Sequence, residues 1–254
     1  MKISIITVCY NSAAFLTTAI NSVIHQNNVD LEYIIVDGNS TDESLNIIKS
    51  YADLDNRIKW ISEDDNGIYD AMNKGIKKAT GEIIGILNSD DFYIGDQVLS
   101  RIHQIFIKRN PQVVFSDVRF IHENNHEKTV RYYSSASFNP SKFKLGFMPA
   151  HPTFFTYKVN FDKYGYYETN YEIASDYELL IRFLYTHKLD YFYLPGSIIK
   201  MRVGGISTKS IKSNITLNSE IIKACAANGI YTNMLLLSFK YFKKIFELVD
   251  TKNE

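Results

Sequence analysis

The sequence predicts an α/β fold in which a mostly parallel central sheet is flanked by helices. First, short apolar runs rich in β-branched residues alternate with segments of helical periodicity over residues 2–87. Second, the spacing of these segments is that of βαβ units, whose strands lie parallel. Third, 45% of the 254 residues are hydrophobic, which is enough apolar material for one sizeable core.

The first part of the chain divides into four predicted strands and three predicted helices. Ser40 and Glu43 have the spacing of a capping box and mark the start of the second helix. Gly81 is expected to end the third helix, because glycine accepts the left-handed conformation of helix ends. The predicted strands are 2–8, Leu31–Val36, Ile58–Ile61 and Glu82–Leu87, and the predicted helices are 13–25, Thr41–Tyr51 and 68–79.

From about Gln112 onward the pattern changes. A polar stretch at Glu123–Glu127 predicts a turn between two strands, and Ser137–Pro149 is expected to be a mobile loop. Apolar residues on one side of Asp176–His187 predict a helix. The remaining predicted strands are Val113–Ile121, Thr129–Tyr133 and Ile198–Val203, and two further predicted helices follow at Lys209–Asn228 and Tyr231–Val249.

Composition and charge argue against several classes of protein. Lysine plus arginine number 28 and aspartate plus glutamate also number 28, so the chain lacks the basic excess of a nucleic-acid binder. Cys9 and Cys225 fit neither a disulfide framework nor a zinc motif, which favours a reducing compartment. No run approaches the roughly 20 apolar residues that span a bilayer, and residues 2–8 are too short for a signal peptide. We therefore expect a cytoplasmic protein.

Polar and acidic residues follow each of the first four predicted strands. Asn11 follows the first strand, Asp37 the second, Asp65 the third, and the pair Asp90 and Asp91 the fourth. In parallel sheets, ligands bind in the crevice beyond the carboxyl ends of the strands. The sequence therefore predicts a polar ligand site at one edge of the sheet.

Each acidic position also has a simpler interpretation. Asp37 and Gly38 suit a tight turn, since both tolerate unusual backbone angles. Asp90 and Asp91 are adjacent carboxylates whose mutual repulsion favours a compensating cation, and Mg²⁺ and Mn²⁺ take such oxygen ligands together with substrate phosphates. A solvated loop remains the alternative for this pair alone. The combination of four strand ends favours the ligand site.

Four blocks of sequence, in their order and spacing, resemble the family 2 glycosyltransferases. They are residues 5–11, 33–42, 65–75 and 81–91, with shorter similarities at 174–178 and 202–207. The resemblance implies a GT-A fold, which is Rossmann-like, here with a C-terminal helical tail. It also implies a metal-dependent, inverting transfer of a sugar from a nucleotide-sugar to an acceptor hydroxyl, like that of bacterial enzymes that build cell-surface polysaccharides.

The resemblance assigns roles to residues that follow the first two strands. Thr7 and Tyr10 would line the nucleobase pocket, and Asp37 would accept a hydrogen bond from the base. Uracil N3–H is a suitable donor, so a UDP-sugar is favoured, although thymine and guanine also present donors to a carboxylate. Asn73 and Lys74 are weaker candidates for holding the nucleotide, and Lys74 is otherwise an ordinary solvated helix residue.

A second set of roles concerns the metal and the diphosphate. Asp90 and Asp91 resemble the D-x-D element of the family, shortened here to Ser-Asp-Asp. By that resemblance Asp90 approaches the ribose, and Asp91 holds Mn²⁺ or Mg²⁺ against the diphosphate. Arg202 precedes two glycines and suits a loop that closes over the diphosphate, though an ordinary turn also explains the glycines.

An inverting mechanism needs a carboxylate that takes the proton of the acceptor, and Asp176 resembles that base. Ser175 and Glu178 have capping-box spacing, however, so an acid in this first helical turn is also explained by helix capping. His151 is a candidate for an acceptor-site residue or an additional metal ligand, with a structural histidine as the alternative.

The predicted organisation is one catalytic domain over 1–208 and a C-terminal helical segment over 209–254. Residues 1–111 would form the nucleotide-binding half and 112–208 the acceptor-binding half, which would take a saccharide or a lipid-linked saccharide. The last helix is amphipathic, so it is expected to pack on its own domain or on a second copy, or to lie peripherally on the inner face of the plasma membrane.

The two alternatives to a glycosyltransferase are a sugar nucleotidyltransferase and an inactive binding protein. A sugar nucleotidyltransferase would carry a glycine-rich phosphate loop after the first strand, but residues 9–14 contain no glycine, and a P-loop is also absent. A catalytically inactive nucleotide-sugar-binding or scaffold protein of the same fold remains open. Turnover separates the two, because a binder releases no nucleoside diphosphate.

Overall fold

The computed structural model describes residues 1–122, 125–204 and 211–240. The strands are β1 Ile3–Cys9, β2 Leu31–Asp37, β3 Ile58–Ser62, β4 Ile83–Ile86, β5 Phe92–Tyr93, β6 Val113–His122, β7 Asn125–Tyr133, β8 Phe155–Tyr157 and β9 Tyr191–Arg202. The helices are α1 Ala13–Ile24, α2 Ser44–Leu54, α3 Ile68–Lys78, α4 Val98–Arg109, α5 Lys158–Tyr164, α6 Ser175–Ile181 and α7 Ile211–Ala227.

The described strands form one sheet in the order β3-β2-β1-β4-β8-β6-β9-β5, with β7 paired to β6. The first four strands in this order are parallel to one another, as are β6 and β9. Strand β8 runs antiparallel to β4 and β6, and β5 and β7 run antiparallel to their partners. The predicted α/β fold with flanking and C-terminal helices is confirmed, and its sheet is mixed.

Helices cover both faces of the sheet. All seven residues of β1 are buried, which is typical of parallel strands packed on both sides. Because side chains alternate along a strand, Ile6 and Val8 join the core with α3, α6 and α7, whereas Ile3 and Ile5 join the core with α1, α2 and α4. Residues from both predicted halves share each core. The boundaries proposed at 111 and 208 stay predictions.

Two local predictions about helix ends are wrong. Helix α2 begins at Ser44, and the Ser40 hydroxyl donates to Asp37 Oδ1 at 2.5 Å instead of capping a helix. Helix α3 ends at Lys78, before Gly81. Gly81 is needed for a different reason, because a Cβ there would lie 2.5 Å from Ser4 Oγ.

Several elements were not predicted from the sequence. Helices α4 and α5 and the short strands β5 and β8 were missed. The prediction of a loop over Ser137–Pro149 is wrong for Pro140–Leu145, which forms a 3₁₀ helix with Phe143 fully buried. The predicted helix from Asp176 is α6 followed by a π-helical turn at Arg182–Thr186.

The C-terminal part contains α7 and a second helical stretch at 234–240. The rest of the predicted helix Tyr231–Val249, with most of its amphipathic face, lies outside the described residues. Within the part of the chain that the structure describes, no helix is long and apolar enough to cross a membrane. Both cysteines are buried as free thiols.

Candidate active site

A cavity of about 1000 Å³ opens at the edge of the sheet where the parallel strands end. Its wall includes residues that follow β1, β3 and β4, together with residues from the end of β9, from α6 and from α7. Of the residues predicted to be functional, six line this cavity: Tyr10, Asp90, Asp91, His151, Asp176 and Arg202. The fold therefore brings the acidic turn after β4 and the start of α6 to one site.

The Asp91 carboxylate is the most deeply buried acid of the cavity, with 1% of its surface exposed. Burial and the adjacent charge of Asp90 raise the pKa of Asp91 well above its usual range, while Asn88 and Arg202 act in the opposite direction. The Asn88 amide nitrogen lies 3.4 Å from Asp91 Oδ2, and Asn88 Oδ1 is buried without a hydrogen-bond partner among the described residues. This is an oxygen-rich site that favours a cation.

Arg202 supplies part of the positive charge at this site. Its guanidinium donates to the Asp90 carbonyl and lies between the rings of Phe15 and Phe92, at 5.0 and 5.2 Å from their centroids. The side chain is 92% buried, because only 8% of its surface is exposed. Arg202 is therefore fixed beside the two aspartates, where a guanidinium can pair with phosphate oxygens.

Tyr10 and Asp65 meet over Gly38 at the opposite end of this acidic edge. A Cβ at residue 38 would lie 2.5 Å from Asp65 Oδ2 and 3.5 Å from Tyr10 Cδ2, so a side chain there would force the Asp65 carboxylate to move. Tyr10 is 63% exposed and lines the cavity together with Asp65. The flat, exposed ring can stack on a nucleobase, and the neighbouring carboxylate can accept a hydrogen bond from an N–H of that base.

Thr7 and Asp37 are fully buried and lie behind the described cavity wall. The Thr7 hydroxyl accepts a hydrogen bond from Tyr33 at 3.0 Å. Asp37 accepts hydrogen bonds from the Ser40 amide, at 3.1 Å, and from the Ser62 hydroxyl, at 2.7 Å. These bonds hold the ends of β2 and β3 together. They give Asp37 a structural role, which is the alternative to its predicted hydrogen bond with the nucleobase.

Asn73 and Lys74 also make bonds within the protein. The Asn73 amide donates to the Tyr167 carbonyl at 2.8 Å and accepts from the Tyr167 amide at 3.0 Å. Lys74 lies 3.1 Å from Glu63 and 3.4 Å from Asp70, so it joins α3 to the loop after β3. Neither side chain belongs to the described lining of the cavity.

Asp176 lies in the first turn of α6 and lines the cavity. Burial raises the pKa of its carboxyl to about 6, although the Tyr177 amide and the Tyr69 hydroxyl lower it. The Tyr177 amide donates to Asp176 Oδ1 at 2.7 Å. At neutral pH this half-buried carboxylate is therefore mostly ionised and able to accept a proton.

No capping box forms between Ser175 and Glu178, although Asp176 itself lies in the first turn of α6 and accepts from the Tyr177 amide. The Ser175 hydroxyl is buried with no hydrogen-bond partner among the described residues, and Glu178 binds Arg182 at 2.7 Å. The backbone amides that precede α6 are held instead by the Glu220 carboxylate of α7, which accepts from residues 172, 173 and 174 at 2.6, 2.8 and 2.9 Å. Glu220 therefore fixes the segment that leads into α6, and Asp176 lines the cavity.

His151 begins a short 3₁₀ helix, His151–Thr153, in the cavity wall. Its Nε2 lies 2.6 Å from the Tyr167 hydroxyl, and burial lowers the pKa of the imidazole to about 4, so the ring is neutral at pH 7. Among the described residues, no group of three or more His, Cys, Asp or Glu side chains is arranged to hold a metal ion.

The sequence itself matches a known family, since the model for "Glycosyl transferase family 2" covers residues 4–166. The chain belongs to this family. It is therefore a glycosyltransferase that uses a nucleotide-sugar donor. A "PGL/p-HBAD biosynthesis glycosyltransferase" of Mycobacterium bovis is 31% identical over 181 residues, which are 70% of this chain and 68% of the relative. The "Putative glycosyltransferase EpsH" of Bacillus subtilis is 37% identical over 90 residues, 35% of this chain and 26% of EpsH.

Solved structures place this glycosyltransferase in the GT-A fold. S. aureus TarS 1-349 in complex with UDP-GlcNAc has a TM-score of 0.71 at 17% identity, over 91% of this chain and 68% of that one. The chain spans 41% of a longer TarS chain. The mannosyltransferase PcManGT from Pyrobaculum calidifontis, in complex with GDP-Man and Mn²⁺, has a TM-score of 0.62 at 13% identity, over 96% of this chain and 79% of that one. At these identities the likeness establishes the fold.

Three residues of the glycosyltransferase site were not singled out from the sequence. Asp65 was identified from the sequence only as an acid at the end of a strand, and in the structure it lies against Gly38, as Tyr10 does. Tyr69 lies within the similar block 65–75, but nothing in its spacing indicates that its hydroxyl lies 3.5 Å from Asp176 Oδ1. Glu220 comes from a helix 46 residues beyond the Ala174 amide that it binds.

Proposed function

We propose that this glycosyltransferase transfers a sugar from a UDP-sugar to an acceptor hydroxyl with inversion, with Mn²⁺ or Mg²⁺ as its cofactor. The observation that carries the proposal is that one cavity holds two carboxylates of different kinds, the buried Asp91 beside a second acid and the half-buried Asp176 at a helix start. The first kind suits a metal-bound diphosphate, and the second suits a base.

The donor would lie along the strand ends. Its nucleobase would stack on Tyr10 and donate an N–H to Asp65, while Asp90 would approach the ribose and Arg202 the diphosphate. The residues present fit a divalent cation, because Asp91 and Asn88 Oδ1, which has no partner in the described part of the chain, are oxygen ligands whose set a diphosphate could complete. A bound cation would neutralise charge on the departing nucleoside diphosphate.

Asp176 would take the proton of the acceptor hydroxyl. As that proton moves to the carboxylate, the acceptor oxygen attacks the anomeric carbon, and the bond from this carbon to the diphosphate oxygen breaks with its electron pair on the leaving group. One displacement at the carbon gives inversion. An ionised base with a pKa of about 6 is well matched to this step near neutral pH.

The other predicted residues would act less directly. Thr7 and Asp37 would shape the nucleobase pocket from behind, because their hydrogen bonds fix β1, β2 and β3. Asn73 and Lys74 would hold α3 against its neighbours. His151 would serve the acceptor side as a neutral hydrogen-bonding group, with metal ligation as the alternative role.

The acceptor would be a saccharide or a lipid-linked saccharide of the bacterial surface. The names of the relatives support this, since one is a PGL/p-HBAD biosynthesis glycosyltransferase and another is the putative glycosyltransferase EpsH. We place the enzyme in the cytoplasm, with its C-terminal helices either in a homodimer or peripherally on the inner face of the plasma membrane.

Calorimetric titration of the protein with UDP, dTDP and GDP, each with and without Mn²⁺, tests the donor proposal. We expect UDP to bind more tightly with Mn²⁺, and the Asp91→Asn variant to lose that difference. No binding of any nucleotide by the folded protein would contradict the donor assignment. Binding of UDP without release of UDP from any UDP-sugar would favour the inactive binding protein instead.

A further inference from the structure

The Tyr69 hydroxyl lies between two acceptors that belong to the loop and helix of the base. It is 2.5 Å from the Ile173 carbonyl oxygen and 3.5 Å from Asp176 Oδ1. Tyr69 lies in the first turn of α3, in a cavity-lining position, and its side chain is 7% exposed. None of the roles proposed above uses this hydroxyl.

The ring of Tyr69 is held firmly in place. It stacks on Tyr167 with centroids 5.8 Å apart and planes inclined by 22°. Tyr167 is fixed in turn by its two backbone hydrogen bonds with Asn73 and by the contact of its hydroxyl with His151 Nε2 at 2.6 Å. With the ring clamped in this way, rotation of the Tyr69 O–H bond is the movement that costs least.

We propose that Tyr69 is the positioning residue of the base, and that its hydroxyl proton moves between Ile173 O and Asp176 Oδ1 as the base changes its charge. This inference rests on the proposed role of Asp176. A phenol has a single O–H, so it serves one of the two acceptors at a time. The ionised carboxylate receives the hydrogen bond, because a charged acceptor is the stronger one.

The exchange follows the proton of the reaction. Before transfer, the Tyr69 O–H turns to the carboxylate, which holds Asp176 and favours its ionised form. Once Asp176 has taken the proton of the acceptor, the Tyr69 O–H returns to the Ile173 carbonyl. No bond within Tyr69 is broken, since burial and the nearby charge of Asp176 raise the pKa of the phenol well above its usual range.

Other groups also act on Asp176, and the test must separate them from Tyr69. The Tyr177 amide donates to the carboxylate and lowers its pKa, whereas the negative charge of Glu220 raises it. The Tyr167 phenol is close enough for the charge of Asp176 to raise its own pKa. Tyr167 bonds to His151 through its hydroxyl, so Tyr167→Phe is a matched control that keeps an aromatic ring in the stack.

The experiment is a titration of the aspartate carboxyl carbons by ¹³C NMR in the whole protein, with Asp176→Asn to assign the Asp176 signal. In Tyr69→Phe, loss of a hydrogen bond to the charged form should raise the pKa of Asp176 from about 6 to about 7. Tyr167→Phe should leave it near the wild-type value. An Asp176 signal that titrates identically in wild type and Tyr69→Phe would overturn the inference.

A second readout uses transfer, and it distinguishes a structural defect from a tuned base. Tyr69→Phe should shift the acidic limb of the kcat profile to higher pH, with a loss of about fivefold at pH 6 that largely disappears by pH 8. A loss that is equal at every pH would mean that Tyr69 is merely structural. If Asp176→Asn still transfers sugar, the proposed base is wrong, but the NMR titration still tests the contact with Tyr69.

Discussion

The acidic turn after β4 and the first turn of α6 each place a carboxylate in the same cavity, Asp91 buried and Asp176 half-buried, but with different neighbours. Asp91 has a second carboxylate beside it, the guanidinium of Arg202 close by and an amide oxygen on Asn88 that has no partner among the described residues. Asp176 has a backbone amide, a phenol and the more distant charge of Glu220. Both residues are aspartates, but their neighbours give them different chemistry. The neighbours of Asp91 favour a cation, whereas those of Asp176 leave a single carboxylate able to accept a proton.

Glu32, a buried carboxylate near the start of β2, provides a third case for comparison. Glu32 is 3% exposed, and it accepts hydrogen bonds from Ser4 at 2.6 Å, from the Thr80 amide at 2.7 Å and from Lys59 at 2.5 Å. Burial raises the pKa of Glu32, but these bonds outweigh it and lower the value to about 2. Glu32, whose carboxylate accepts several hydrogen bonds within the protein, is thus structural. Asp91 and Asp176 accept fewer such bonds and line the cavity.

Of the three carboxylate substitutions, Asp176→Asn should have the largest effect, and this effect is on the rate of sugar transfer. It keeps the shape of the side chain but removes the base, so kcat for transfer should fall by about 10²–10⁴-fold. Binding of UDP with Mn²⁺ should stay within about twofold of the wild type, because Asp176 is not a donor contact. Transfer at the wild-type rate would remove Asp176 from the mechanism.

Asp91→Asn should have the next largest effect, and this effect is on the binding of UDP. Loss of the anionic ligand should weaken Mn²⁺-dependent binding of UDP by about tenfold or more, while binding without metal changes little. The neutral side chain also removes the repulsion from Asp90, so the variant is expected to fold. A variant with an unchanged metal requirement would show that the two cavity carboxylates do not differ as proposed.

Glu32→Gln should affect stability and leave UDP binding intact. The folded-state pKa of Glu32 is depressed, so its stabilisation is present above the ordinary pKa of 4.5 and is lost as the pH falls toward about 2. The variant should therefore melt at a lower temperature than the wild type at pH 7, and this difference should shrink below pH 4.5. Scanning calorimetry over this pH range measures it, and a difference that is constant with pH would contradict the assignment.

Local sequence patterns predicted the parallel strands well. The apolar runs of β1 to β4 were placed to within one residue at most ends, because strands buried on both faces have continuous apolar sequences. Helix α4 was missed, although Leu99, Ile102 and Phe106 have helical spacing and are buried. The start of α2 was misplaced because the Ser40 hydroxyl donates to Asp37, three residues before it, instead of accepting from an amide of the helix.

The cavity was predictable only in part, for a related reason. Asp90 and Asp91 follow a strand directly, so their place at the sheet edge follows from the fold alone. Sequence reasoning did not find the contact of Tyr69 with the Ile173 carbonyl, which joins residues 104 apart, or the role of Glu220 at the start of α6. The predicted hydrogen bond from Asp37 to the nucleobase stays a prediction, and within the protein its carboxylate accepts from Ser40 and Ser62.

The measurement that tests the central claim most directly is the anomeric configuration of the first product, followed by ¹H NMR from the start of the reaction. With Asp176 as a base in a single displacement, the new glycosidic bond has the configuration opposite to that of the donor. Retention of the donor configuration would mean that the anomeric carbon is displaced twice, and it would contradict the assignment of separate metal and base roles to Asp91 and Asp176.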